Sequence, residues 1–217
     1  MHFVDAWTSL PPLGAALLLA PAAIAIIAML LPGRPLARTL SIAIALTAPL
    51  SPGLGPVEVR ASWLALWLGV ALVSGVKRDP SPRAESARPG GVESGAIGLL
   101  LGGGWLALMV VALGRQDLPQ ELTREATLGM LLVSVGLVHL MFQRDALRGA
   151  LAFATIGLGL QWLDAAVRLI VLESGELPHG VVLFATAVAV VLASRVAFVR
   201  QNDAGSAWVS HAHDLHD

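Results

Sequence analysis

Three ionisable side chains stand inside otherwise apolar stretches of this sequence, and its chemistry is sought there first. His139 lies five residues before Arg144, about 7 to 8 Å from it at helical rise. An imidazole changes charge near neutral pH, so His139 is a candidate proton relay; the other reading is a hydrogen-bonded histidine of the inner interfacial layer. Asp164 and Arg168 are four residues apart, the spacing at which side chains on successive helical turns meet. They are the other two proton-path candidates, facing a polar cavity or a partner subunit. Alternatively they neutralise one another near the outer interface, with Arg168 reaching outward along its aliphatic stem. An ionisable group at the centre of a membrane helix costs about 2.5 to 3.5 kcal/mol on insertion scales, which is why each needs a reason.

Other chemistry is thin. The terminal segment HAHDLHD offers His211, His213, Asp214, His216 and Asp217, but a short terminal run with no outer shell reads as a solvated tail rather than a metal site. No GxSxG, HExxH or P-loop spacing occurs, so nothing points to a hydrolase or a nucleotide site. The chain has no cysteine, which removes disulfides, thiolate metal sites and Cys-ligated iron-sulfur clusters. No catalytic residue, metal ligand or cofactor is read from the sequence.

The elements that hold these residues are membrane helices. Of 217 residues 56% are hydrophobic and 13% charged, against roughly 45 to 50% and about 25% in soluble domains; the mean hydropathy is +0.74. The net charge of -1 supplies no basic stripe for nucleic acid. Seven apolar runs are expected to span, over residues 13–31, 40–50, 61–76, 95–113, 126–142, 149–172 and 181–198. The first has no basic segment ahead of it and is read as retained rather than cleaved. Pro21 is expected to kink it, and the Pro32, Gly33, Pro35 cluster to end it. Trp63 and Trp67 fall near the start of the third run, where an aromatic belt would place them. Residues 77–93, rich in Pro, Ser, Arg and Gly, are expected to form a flexible cytoplasmic loop, and 199–217 a cytoplasmic tail. Gly98 and Gly102 stand at GxxxG spacing in the fourth run, a candidate helix-packing face.

The fifth and sixth runs are joined by QRDALR, which carries Arg144 and Arg148; so short a connection between two spans makes a membrane hairpin with a basic hinge on the cytoplasmic side. With the N-terminus outside, Arg34, Arg38, Lys77, Arg78, Arg83, Arg88, Arg144, Arg148, Arg195 and Arg200 lie inside and Arg60, Arg115 and Arg124 outside. Ten against three follows the positive-inside rule. A multi-pass protein of the inner (plasma) membrane with a cytoplasmic C-terminus is expected. GRPLARTLSIAIAL, from Gly33, and QRDALRGALAFATI, from Gln143, each set two arginines four apart ahead of an Ala-rich run. That pattern is compatible with a parallel repeat of three-helix units joined by the fourth run, and also with the general attraction of arginine to inner hinges.

QRDALRGALAFATIGLGLQ, then ELPHG, then a last span ending VVLASRVAFVRQND, resembles the C-terminal half of the hydrogenase-4 component E family, larger relatives of the K subunit of bacterial complex I. Gln143, Arg144, Asp145 and Leu147 match the family's hinge. The resemblance covers about 90 residues and implies an accessory membrane subunit of an ion-translocating complex, with antiporter-like and other membrane subunits as partners alongside the lipid bilayer. The family's sixth-run glutamate falls at Gly157 here, and Val181 to Phe198 contains no carboxylate. The resemblance therefore implies bridging of other subunits, without catalysis, rather than conduction through this chain. A stand-alone small transporter or channel and a membrane sensor or assembly factor are the competing classes.

Overall fold

A backbone surrounded by lipid must satisfy its own hydrogen bonds, so long apolar runs of this kind have the α-helix as their outlet. The computed structural model describes residues 6–30, 34–50, 54–74, 119–142, 146–170 and 180–204, with residues 104, 107, 108 and 111. Among these it is all-helical, without a strand. Six long helices follow one another: α1 Pro12–Leu30, α2 Arg34–Thr47 continued by a 3-10 turn Ala48–Leu50, α3 Val57–Ser74, α4 Gln120–Phe142, α5 Ala146–Ile170 and α6 Val181–Ala204. Four stretches among the described residues are long and apolar enough to cross a membrane, Val57–Ser74, Gln120–Met141, Arg148–Arg168 and Val181–Arg200. The apolar parts of α1 and α2, Pro12–Ala28 and Leu36–Leu50, are shorter. Most of the expected fourth run, with Gly98 and Gly102, lies outside the described residues, as do the loop at 77–93 and residues 205–217.

Several helix ends differ from the sequence expectation for one physical reason: polar residues continue a helix past its apolar run. α2 starts at Arg34, because Pro35 in a first turn lacks only an N–H that has no intrahelical acceptor there. α4 starts at Gln120, so Arg124 and Glu125 belong to its opening turns rather than to a loop. Arg148 belongs to α5 rather than to the hinge, and Arg144 falls outside the described residues. α6 runs on to Ala204. α1 continues unbroken through Pro21, which is fully buried. Gly55 turns the chain into α3 with φ 92°, a conformation that favours glycine.

The helices pack as two consecutive sets, α1 on α2 on α3 and α4 on α5 on α6, joined where α1 meets α4 and α3 meets α5 and α6. One core runs through both sets. Trp63 and Trp67 of α3 and Trp162 of α5 are fully buried in it, with Ile44, Leu54, Val70, Leu128, Leu132 and Leu158. The aromatic-belt expectation for Trp63 and Trp67 is thus corrected: both are fully buried in the helix core rather than set at a lipid-facing interface. Alanines 22, 25, 28, 37, 45, 150 and 154 line the same core, keeping helix axes close as small residues do in membranes. The outer surface is the reverse of a water-soluble one, with Leu13, Leu72, Met141 and Phe184 all at least two-thirds exposed. Such a continuous apolar surface suits lipid or other membrane helices.

Candidate functional site

The α4–α5 hairpin carries every expected site residue that the structure describes, and glycines determine how it is built. A Cβ on Gly129 would stand 2.8 Å from the Gly159 carbonyl oxygen and 2.9 Å from the Leu163 nitrogen. A Cβ on Gly136 would stand 3.0 Å from both the Ala152 oxygen and the Ile156 nitrogen. Seven residues forward on α4 thus match seven backward on α5, an antiparallel register with backbones in contact. The three glycines Gly129, Gly136 and Gly159 form this seam; their seven-residue spacing on α4 was visible in the sequence, whereas attention to GxxxG pointed to Gly98 and Gly102. Gly157 faces the other way. A Cβ there would run into the side chain of Thr186 on α6, so the position holds neither a carboxylate nor room for one.

Asp164 and Arg168 meet as their spacing predicts, Arg168 Nε donating to Asp164 Oδ2 at 2.8 Å, with the two side chains 23% and 26% exposed. The pair sits near the end of α5 that carries Ile170. His139 is 3% exposed, near the opposite end of the hairpin, and its Nε2 has no hydrogen-bond partner among the described residues. The seam sets His139 level with Leu151 of α5, thirteen residues from Asp164, or about 20 Å along the axis. The structure therefore does not bring the three candidates together. Arg148, in the first turn of α5, is half-buried.

Two polar residues went unnoticed in the sequence reading. Gln161 is 1% exposed, and its Oε1 has no partner among the described residues. It lies four residues after Gly157 and three before Asp164, so Gly157, Gln161, Asp164 and Arg168 share one side of α5. Glu125 of α4, whose Oε2 also lacks a partner among the described residues, is level by the seam register with Ala165, at the depth of the Asp164–Arg168 pair. Gln161 carries no charge and Glu125 stands one residue before the apolar run 126–142, so neither counts as an ionisable group inside an expected span. Elsewhere hydroxyls are satisfied within their own helix: Ser41, Ser134, Thr155, Thr186 and Ser194 each donate to the carbonyl four residues back, at 2.7 to 2.8 Å. That habit suits an apolar surround and leaves those groups with no hydrogen to offer a transported solute.

Among the described residues no group of three or more His, Asp or Glu side chains is arranged to hold a metal ion. What the hairpin can do chemically is limited to local charge neutralisation at one end and a buried imidazole at the other. Its dominant property is tight helix packing. Comparison of the chain with family models, with curated proteins and with solved structures finds no match.

Proposed function

We propose that this chain is a non-catalytic membrane subunit that bridges other membrane subunits of an energy-converting, ion-translocating complex of the hydrogenase-4 or complex I kind. The observation that carries the reading is Gly157 against Thr186: the position at which the resembled family keeps a membrane carboxylate is filled here by helix packing. The ~20 Å between His139 and Asp164 supports the same reading, since protons do not cross such a distance without a file of water or side chains.

Seven crossings, an outer N-terminus and an inner-membrane location belong to this proposal. Ser9 Oγ donates to Gln120 Oε1 at 3.0 Å, which supports a shared end for the starts of α1 and α4. Short connections between packed neighbours make α1, α2 and α3 alternate in direction. A crossing by the fourth run, most of which lies outside the described residues, is part of the same proposal.

Affinity purification of the tagged chain in mild detergent tests the role. Co-elution with antiporter-like membrane subunits at fixed stoichiometry is expected. A monodisperse lone protein that moves an ion in proteoliposomes would replace the bridging role with that of a stand-alone transporter.

A further inference from the structure

Between α3 and α6 runs an open groove of about 510 Å³, walled by Leu66, Val70, Leu183, Ala187 and Val190, with Arg195 at one end. Its hydroxyls are already used: Ser62 Oγ donates to the Glu58 oxygen at 2.8 Å and Ser194 Oγ to the Val190 oxygen at 2.7 Å. The wall is therefore apolar along its length. Gly69 lines it with nothing within 4 Å of an added Cβ. Arg195 is exposed and, among the described residues, forms no ion pair.

The direction of the helices places that charge. α1 and α4 begin at one end, α3 runs with α1, and α6, reversed from α5, runs with α4. α3 and α6 are parallel, so Val73, Arg195 and Phe198 share the groove's far end. The groove is about 16 Å long from Ser62 to Val73 on α3 and about 22 Å from Leu183 to Phe198 on α6 at helical rise, more than half the depth of a ~30 Å hydrocarbon core. A single acyl chain fits it. Arg195 precedes by five residues the end of the apolar stretch Val181–Arg200, within reach of the interface for a long side chain.

We propose that this groove seats one acyl chain of an anionic phospholipid, whose phosphate pairs with the Arg195 guanidinium. The aliphatic wall takes the chain, and the guanidinium offers its fork of donors to phosphate oxygens. The site needs only that the protein lies in a bilayer, and is independent of any role in a larger assembly.

The full-length protein in detergent, loaded with phosphatidylglycerol or with phosphatidylcholine of the same acyl chains, is read by native mass spectrometry. Wild type should retain phosphatidylglycerol about fivefold better, the effect of one basic residue at an anionic headgroup. Arg195→Gln should abolish the preference and Arg195→Lys keep most of it. Gly69→Phe, which meets no backbone obstacle, should lower retention of both lipids while helical content and Tm stay unchanged. Equal retention of the two lipids by wild type, or a preference that survives Arg195→Gln, overturns the headgroup assignment; retention unaffected by Gly69→Phe overturns the groove. In a chain that otherwise has no cysteine, efficient crosslinking of a Gly69→Cys variant to another polypeptide would make the groove a protein interface and overturn the lipid site.

Discussion

Gly129 and Gly159 occupy each other's side-chain space: a Cβ on Gly129 would stand 2.8 Å from the Gly159 oxygen, and one on Gly159 would stand 2.7 Å from the Gly129 oxygen. Backbone meets backbone, and neither helix can move aside without opening the hairpin.

That contact predicts a sharp contrast between glycines. Gly129→Ala or Gly159→Ala should destabilise the protein by about 1 to 3 kcal/mol through overpacking, lowering the Tm measured in detergent. Gly69→Ala, with open space around it, should be neutral or gain up to about 1 kcal/mol from helix propensity. Equal effects at all three positions would mean that the α4–α5 seam is looser than its geometry.

Gly157 and Thr186 form a second lock, between α5 and α6. Gly157→Ser should cost about 1 to 3 kcal/mol, and adding Thr186→Gly should restore a good part of it, because the clash involves that side chain. A double-mutant cycle on Tm or on complex assembly measures the coupling; additivity of the two changes would separate the positions.

The Asp164–Arg168 pair is half-buried, so removing one partner leaves a charge with less compensation. Asp164→Asn should cost about 1 kcal/mol, and Asp164→Asn with Arg168→Met should be milder than the single change. Chemical or thermal unfolding of the two variants side by side decides the order.

If the chain bridges rather than conducts, Asp164→Asn and His139→Ala should each leave ion pumping by the assembled complex largely intact. Pumping lost in either variant, with normal subunit composition on native gels, would place a hydrated relay through this hairpin.

Topology has its own test. An alkaline phosphatase or fluorescent reporter fused after Asp217 should report a cytoplasmic end, and one inserted at residues 114–118 an external site, as the distribution of arginine requires. The opposite pattern would invert the bundle and move Arg195 to the outer leaflet.

The sequence by itself determined that the chain is helical and membrane-like, that α4 and α5 form a hairpin, and that Asp164 and Arg168 pair, since hydropathy, run length and i, i+4 spacing are local properties. It also placed glycine at position 157. Only the tertiary structure decided which faces meet. Trp63 and Trp67 are core residues, Gly129, Gly136 and Gly159 make the close seam, Gly157 is held by Thr186, and Gln161 is buried beside them. The physical reason is that lipid tails are as apolar as leucine. A helix that is apolar all round carries no hydropathy signal separating the side that meets lipid from the side that meets another helix. Distances across the bundle, including those that keep His139 away from Asp164 and put Arg195 at the end of a groove, arise only once the helices have chosen their neighbours.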